Sequence, residues 1–379
     1  MLIVVPAETA PERRVALTPA VVTRLTEQRH RVVVETGAGA RAGLSDDRYR
    51  EAGATVTPDP FAEGADLVLV VGPPSLELIG RIPHGAALLG FIDPFGSREL
   101  MDAVTARRIT AFAVEAIPRT TLAQSMDALS SQATAAGYAA VLAAAHASPR
   151  IFPMLTTAAG TIPPVKLLVL GAGVAGLHAI ATARRLGAVV SGYDIRPAVK
   201  EQIESLGARA VDAPVDESAA TAGGYAKGVS DDTQRRQMDA LAPHVADSDV
   251  VITTAQVPGQ AAPLLISREM VEAMRPGSVI VDVAAPGGGN CELTRPGETV
   301  EHKGVTILGP LDLASRVPID ASSMYARNLA NFIQRIVSEE GELTLDFDDP
   351  IVSETCVSHA GRITHPVVRR LHGLEEEEE

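Results

Sequence analysis

The chain has 379 residues, of which 46% are hydrophobic and 3% aromatic, and it contains no tryptophan. That length predicts two compact domains, and a core built from Ala, Val, Leu and Ile favours parallel sheets covered by helices over an all-β fold. A formal net charge of −14 without a basic cluster disfavours nucleic-acid binding. The two cysteines are too few for a disulfide framework and too far apart in sequence to suggest a metal cluster.

The first six residues predict a β-strand that runs straight into a polar loop, and they carry neither the basic leader nor the small-residue cleavage site of a targeting segment. The most apolar region, 155–183, is interrupted by Pro163, Pro164, Lys166 and several glycines, so it does not predict a membrane span. We therefore expect a cytoplasmic protein in which any membrane role comes through a partner.

The N-terminal third of the chain alternates short apolar runs with helical patterns, which is typical of βαβ units. Strands are predicted at 2–5, 31–35, 67–71, 86–91 and 110–114. Thr18 and Pro19 are of the types favoured at an N-cap and at N1, so a helix is predicted to begin at Pro19. The Ala-rich stretch 121–147 predicts one or two long helices between two domains, with Gly137 as a possible break.

A second series of the same kind follows. Its strands are predicted at 166–170, 189–193, 250–254, 278–283 and 305–308. Its helices are predicted to begin near Val174, Pro197, Asp231 and Ser267. Two such series predict an α/β chain of two Rossmann-like, doubly wound parallel-sheet domains joined by long helices. Because a helical pattern at 321–337 follows the second series, we expect residues 318–379 to complete an N-terminal domain of residues 1–130, with residues 131–317 forming the other domain.

The predicted strand at 166–170 leads directly into a glycine-rich turn with G-x-G-x-x-G spacing. The residues of this turn are Gly171, Ala172, Gly173, Val174, Ala175 and Gly176. Gly171 permits a tight turn, Gly173 lets backbone N–H groups approach a pyrophosphate, and Gly176 lets helix and strand pack closely. The following helix directs its positive end at the phosphates. The glycines alone could mark a flexible turn, but strand, turn and helix in this order predict dinucleotide binding.

The next predicted strand ends at Asp194, which lies 194 − 176 = 18 residues after Gly176, close to the usual spacing of about 20. Asp194 is expected to accept both ribose hydroxyls, with Ile195 and Arg196 beside it. A carboxylate repels a 2′-phosphate, so NAD(H) is favoured over NADP(H), although Arg196 is a neighbouring cation.

Two further loops follow strands of the second series and are expected to flank the path of the nucleotide from adenosine to nicotinamide. The first begins with Thr254, Ala255 and Gln256. The second, 284–290, contains three consecutive glycines, which could equally form only a bent connection.

Several segments together resemble the family of alanine dehydrogenases and transhydrogenase NAD(H)-binding subunits. They are Pro-Ala-Glu at 6–8, Arg-Val-Ala-Leu-Thr-Pro at 14–19, Ser-Arg-Val-Pro at 315–318 and Asp-Ala-Ser at 320–322. The resemblance covers nearly the whole chain. It implies two Rossmann-like domains joined by helices, and a homodimer.

Residues 119–132 resemble the loop of the transhydrogenase branch that holds the nicotinamide end of NADH and faces the partner's NADP(H). The matching positions are Arg119, Gln124, Asp127 and Ser130. Leu122 stands where the commonest pattern has a second Arg. Spacing alone would also suit the N-terminus of a helix with solvated polar residues.

Residues 221–227 are similar to the mobile loop of that branch whose tyrosine closes over bound nucleotide, here Tyr225. Two glycines beside an aromatic residue suit a lid with hinges. The alternative is an ordinary surface loop.

Alanine dehydrogenase chemistry would need a lysine and a histidine in the first domain, where this chain has Gly-Pro-Pro at 72–74 and Gly-Phe-Ile-Asp at 90–93. Direct hydride transfer between two nicotinamides needs no acid or base, only two rings held at near-attack distance. Glu8 and Arg14 could then be remnants of a substrate pocket or structural contacts, and we favour structural contacts.

The resemblance implies the NAD(H)-binding subunit of a proton-translocating NAD(P) transhydrogenase, which passes a hydride from NADH to NADP⁺ bound on a partner. Because the two cofactors have nearly equal reducing power, protons crossing the membrane must drive the reaction, at about 2.3 kcal/mol per 100 mV. The partners would be membrane-spanning and NADP(H)-binding subunits, which hold this chain at the cytoplasmic face of the inner membrane. The alternatives are an alanine dehydrogenase-like enzyme and a catalytically silent NAD(H)-binding regulatory module.

Overall fold

The structure is a computed structural model, and it describes residues 1–212, 231–256, 261–338 and 341–374. The strands are β1 (Leu2–Val5), β2 (Arg31–Glu35), β3 (Thr55–Thr57), β4 (Leu67–Leu69), β5 (Ala87–Gly90), β6 (Thr110–Ala113), β7 (Leu155–Thr157), β8 (Gly160–Ile162), β9 (Lys166–Leu170), β10 (Val189–Tyr193), β11 (Arg209–Ala210), β12 (Val250–Thr253), β13 (Val279–Asp282), β14 (Thr299–His302), β15 (Val305–Leu308), β16 (Cys356–His359) and β17 (Arg362–Ile363). The helices are α1 (Pro19–Glu27), α2 (Asp46–Glu51), α3 (Leu76–Arg81), α4 (Arg98–Ala106), α5 (Ala128–Ala147), α6 (Val174–Arg185), α7 (Val199–Ser205), α8 (Asp231–Asp247), α9 (Arg268–Glu272), α10 (Pro318–Ile336), α11 (Pro350–Thr355) and α12 (Pro366–Leu371).

The chain forms two compact units, Met1–Gln132 with Ser315–Glu379, and Ala133–Ala314. The sheet of the first unit has the strand order β17-β16-β6-β5-β4-β1-β2-β3. Strands β1 to β6 pair in parallel, and β16 joins β6 in the antiparallel sense. The order 3-2-1-4-5-6 is that of a doubly wound dinucleotide-binding fold.

The sheet of the second unit has the order β11-β10-β9-β12-β13-β15-β14. Its strands are parallel except for β14, which pairs with β15 in the antiparallel sense at the edge. Apart from that edge strand, the order is again 3-2-1-4-5-6. The prediction of two doubly wound parallel sheets is therefore confirmed.

Both sheets are buried on their two faces, which explains the continuous apolar runs of their central strands. In β9, Leu167 and Val169 pack into one apolar cluster, while Leu168 and Leu170 pack into another. Successive side chains of a strand point to opposite faces, so each run supplies two cores at once.

The predicted helical stretch 121–147 forms two pieces. Thr121–Met126 is a 3₁₀ helix, and α5 begins at Ala128 and carries the chain from the first unit into the second. The prediction of a break at Gly137 was wrong, because α5 continues through it. A Cβ at Gly137 would collide with the carbonyl oxygen of Ala175. Glycine is present there because α5 passes very close to the first turn of α6.

Candidate functional site

The glycine turn joins β9 to α6 in the second unit. Gly171 has φ +92°, and a Cβ there would lie 2.9 Å from Thr254 Oγ1. A Cβ at Gly176 would collide with the Gly171 carbonyl. Among the described residues, the one group that a Cβ at Gly173 would meet is the Arg196 guanidinium, 4.0 Å away. Gly171 and Gly176 therefore allow tight internal packing, whereas Gly173 has no closer neighbour in the described part of the chain that would keep a phosphate from its backbone.

The glycine turn is fixed against the loop that follows β12, the neighbouring strand. Thr254 Oγ1 donates to the Gly171 carbonyl at 2.8 Å, which ties together the ends of β9 and β12. From β9 the strand order runs outward to one edge of the sheet through β10 and β11, and from β12 it runs to the other edge through β13. Ligands of doubly wound folds bind at the switch point between two such strands. Val174 and Ala175 open α6, and the first amides of a helix have no intrahelical acceptor. The site can therefore bind an anion at the helix N-terminus.

Asp194 lies at the end of β10, and its side chain is only 6% exposed. The carboxylate accepts from the Ala172 backbone N–H at 2.8 Å, which anchors the glycine turn. It also accepts from Arg196, through the backbone N–H at 2.9 Å, Nε at 2.8 Å and Nη2 at 2.9 Å. These bonds with Asp194 raise the pKa of the Arg196 guanidinium. The predicted carboxylate is thus in place, but a guanidinium neutralises it.

The residue that fixes the loop after β12 is Asn290, to which the sequence assigned no role. Its Oδ1 accepts from the Ala255 backbone N–H at 3.0 Å, and its Nδ2 donates to the Ala255 carbonyl at 2.8 Å. Asp282, fully buried at the end of β13, accepts from the Asn290 backbone N–H at 2.7 Å and from Thr294 Oγ1 at 2.6 Å. This buried network places Thr254 and Ala255 beside the glycine turn, and Gln256 follows them on the surface.

The segment resembling the nicotinamide loop belongs to the first unit. Arg119 and Gln124 are exposed, and Leu122 is 72% exposed. Asp127 precedes α5, where its Oδ1 accepts from the Ser130 backbone N–H at 2.9 Å and its Oδ2 from Ser130 Oγ at 2.6 Å. This is the geometry of a helix N-cap. Asp127 and Ser130 are thus brought together, with Gln124 one 3₁₀ turn before Asp127.

The crevice at the strand ends of the first unit contains two buried carboxyl groups. Glu8 Oε1 accepts from the Val71 N–H at 2.6 Å, and Glu115 Oε1 accepts from the N–H groups of Ile92 at 2.9 Å and Asp93 at 2.7 Å. Burial raises the pKa of Glu8 to about 7 and that of Glu115 to about 7, against the opposing effect of these backbone donors.

Arg14 makes structural contacts in the same unit. It donates to Glu12 through Nε at 2.9 Å and Nη2 at 2.6 Å, and to Gln132 Oε1 through Nη1 at 2.8 Å. These bonds agree with the structural interpretation of Arg14 favoured from the sequence.

Tyr225 and the rest of 221–227 lie outside the described residues. Among the residues that the structure describes, no group of His, Cys, Asp and Glu could hold a metal ion. No helix in the described ranges is long and apolar enough to cross a membrane.

Two family models together match nearly the whole chain. Residues 4–136 match the N-terminal domain of alanine dehydrogenase/PNT, and residues 140–366 match its C-terminal domain. The chain belongs to the alanine dehydrogenase/PNT family. It is 45% identical to an NAD(P) transhydrogenase subunit alpha protein of Rhodospirillum rubrum, over 97% of this chain and 99% of that protein.

Solved structures of both branches of the family share the fold. The transhydrogenase of Sinorhizobium meliloti matches with a TM-score of 0.84 at 42% identity, covering 97% of this chain and 99% of that chain. An L-alanine dehydrogenase matches with a TM-score of 0.82 at 28% identity, covering 98% of this chain and 99% of that chain. The higher identity lies with the transhydrogenase branch.

Proposed function

We propose that the chain is the NAD(H)-binding subunit of a proton-translocating NAD(P) transhydrogenase. In this function it passes a hydride from NADH to NADP⁺ bound on a partner subunit. The observation that carries the proposal is the glycine turn at the β9–β12 switch point, with Asp194 bonded to its Ala172 N–H. The similarity to transhydrogenase alpha subunits over nearly the full length supports the same conclusion.

NAD(H) is the proposed cofactor. Its pyrophosphate would lie on the amides of Gly173, Val174 and Ala175, because Gly173 has no close neighbour in the described part of the chain and the α6 N-terminus attracts phosphate oxygens. Asp194 would accept the adenosine ribose hydroxyls, with Ile195 and Arg196 beside it. Thr254, Ala255 and Gln256 would line the path toward the nicotinamide, and Tyr225 would close over the nucleotide.

The hydride step needs no proton from the protein, only that two rings are held in place and water is excluded. Arg119, Gln124, Asp127 and Ser130 are proposed for that task. Their segment supports it, because Arg119 and Gln124 are exposed to a partner while Asp127 is anchored by the helix cap. Leu122 adds an exposed apolar side chain to the same segment.

Alanine dehydrogenase chemistry is less well supported by the crevice of the first unit. The carboxyl groups of Glu8 and Glu115 are engaged by backbone N–H groups there. Lysine and histidine are absent from residues 72–74 and 90–93, which follow β4 and β5. An alanine dehydrogenase would need that lysine and histidine for acid–base work on pyruvate and ammonia.

The partners of this subunit are proposed to be a membrane-spanning subunit and an NADP(H)-binding subunit, and the chain itself is proposed to form a homodimer. Proton translocation through the membrane partner would supply about 2.3 kcal/mol per 100 mV for each charge. The chain would then act at the cytoplasmic face, held there by its partners.

A Gln124→Asn variant mixed with an NADP(H)-binding transhydrogenase domain tests the proposal. Transhydrogenation should fall by more than about tenfold while the affinity for NADH changes by less, because a side chain serving only the transition state affects the rate alone. Gln334→Asn, an exposed glutamine on α10, is the matched control. A wild-type rate for Gln124→Asn, or a loss fully explained by NADH affinity, would contradict the proposal.

A further inference from the structure

Two asparagines of α10 bond one backbone carbonyl of the 3₁₀ helix that carries Gln124. The oxygen of Ser125 accepts from Asn328 Nδ2 at 2.9 Å and from Asn331 Nδ2 at 3.0 Å. Both side chains lie on α10, one turn apart. A carbonyl oxygen has two acceptor lone pairs, so the two amides satisfy it fully. Ser125 directly follows Gln124 and lies two residues before Asp127.

The amide of Asn328 is oriented by a chain of donors that runs back to the N-terminal loop. Ser131 Oγ donates to Asn328 Oδ1 at 2.7 Å and accepts from Gln132 Nε2 at 3.0 Å. Gln132 Oε1 in turn accepts from Arg14 Nη1 at 2.8 Å. Because each group donates to the next, the Nδ2 of Asn328 is directed at Ser125.

An ion pair holds Arg14, the first donor of this series of hydrogen bonds. Glu12 bonds the Arg14 guanidinium, and although burial opposes it, Arg14 lowers the pKa of Glu12 to about 2. Glu12 therefore stays charged at neutral pH, and Arg14 stays oriented toward Gln132.

Burial makes Asn328 the more important of the two asparagines. Asn328 is 8% exposed and Gln132 is 6% exposed, whereas Asn331 is half-buried at the rim. A buried polar group that loses its partner is expensive, so a fully satisfied buried network holds one geometry. The amide of Asn328 thus fixes the Ser125 carbonyl, whereas Asn331 adds an outer contact.

We propose that Asn328 is a positioning residue for hydride transfer, acting through the Ser125 carbonyl to hold Gln124 and Asp127 in their reactive placement. This inference rests on the proposed function. It also explains the Arg14 motif at the N-terminus, which the chemistry of the nucleotide site does not use. The role is mechanical, since Asn328 is assigned no contact with either nucleotide.

The main variant is Asn328→Asp, which keeps the shape of the side chain but cannot donate to the Ser125 carbonyl. Gln334→Glu, the same chemical change at an exposed position of α10, is the matched control. Ser131→Ala is the milder second variant, because it leaves the amide in place and removes the group that orients it. Each is combined with the NADP(H)-binding partner domain.

Three quantities are measured for each variant: the transhydrogenation rate at saturating NADH and partner, the Kd for NADH, and the rate of tryptic cleavage after Arg119. Cleavage of a native segment reports its local opening. For Asn328→Asp we expect cleavage at Arg119 to rise about fivefold or more and the transfer rate to fall about tenfold, with the Kd for NADH within about twofold. Ser131→Ala should shift both rates in the same directions by less, and Gln334→Glu should match the wild type.

The outcomes separate this inference from the proposed function. Unchanged cleavage after Arg119 in both Asn328→Asp and Ser131→Ala would overturn the inference. Faster cleavage with a normal transfer rate would also overturn the inference about Asn328. In that case the proposed function would still stand if Gln124→Asn slowed transfer. If neither Gln124→Asn nor Asn328→Asp slowed transfer, the proposed function would fail and the inference with it.

Discussion

Replacing Asp194 with alanine should weaken NADH binding and reverse some of the preference for NADH over NADPH. In the proposed complex the carboxylate accepts the ribose hydroxyls, and a bond to a charged acceptor contributes about 1.5–3 kcal/mol. Among the described residues, however, three of the four hydrogen bonds to the Asp194 carboxylate come from Arg196. The hydroxyls must displace some of these, so their net contribution is smaller than two full bonds.

We therefore expect Asp194→Ala to weaken NADH binding by about 1.5–3 kcal/mol in total, or about 10- to 150-fold in Kd. The effect on NADPH should have the opposite sign. Removal of Asp194 takes the carboxylate partner from Arg196 and leaves a guanidinium near the site of a 2′-phosphate, a group that arginine binds well.

Calorimetric titration with NADH and NADPH measures both effects. Asp212→Ala is the matched control, since Asp212 pairs with Lys200 in the same unit but its side chain is 85% exposed. Asp194→Asn is measured as well, because it can keep a contact with the Ala172 N–H and so tests whether Asp194→Ala acts only by loosening the glycine turn. Equal wild-type affinities for the two nucleotides, or an equal loss for both in Asp194→Ala, would refute the assignment.

Two further predictions concern the first unit. Because burial raises the pKa of Glu115 from 4.5 to about 7, the folded state binds its proton more tightly than the unfolded state, and the free energy of unfolding should fall as pH rises from about 4.5 to 7. Glu115→Gln should reduce this fall when chemical unfolding is compared at about pH 5, 6 and 7, and the pH dependence that remains should come from Glu8. An unchanged dependence of the free energy of unfolding on pH would show that Glu115 is not the titrating group. The purified chain should also lack alanine dehydrogenase activity, because neither lysine nor histidine occurs in residues 72–74 or 90–93. Oxidation of NADH that depends on pyruvate and ammonia would overturn that expectation.

The central strands could be predicted because each is buried on both faces and therefore has an uninterrupted apolar run. The predictions for β9 and β10 agree with the observed bounds at both ends. Short or exposed elements carry no such signal. The strand β3 has three residues, and all six residues of the β7–β8 hairpin are exposed, so neither was predicted.

The candidate site was predictable only where neighbouring residues determine the chemistry. The glycine turn and Asp194 could be found because a strand, a turn and a helix occur in a fixed order with a fixed spacing. Asn290 and Asn328 could not be predicted as residues that hold the site segments. Asn290 bonds a residue 35 positions away, and Asn328 bonds one 203 positions away. Such contacts arise from the fold and leave no pattern in the local sequence.

The two units share a strand order, yet their switch points are built for different roles. In the second unit a glycine turn leads from β9 directly into the N-terminus of α6, which presents backbone N–H groups to an external anion. In the first unit the chain after β1 instead supplies its own carboxyl group. Glu8 accepts from the N–H of Val71 at 2.6 Å, just beyond the end of β4. The Glu8 side chain therefore bridges β1 and β4 at the switch point of the first unit, whereas at the switch point of the second unit the amides that open α6 have no intrahelical acceptor. This difference supports assigning the nucleotide to the second unit.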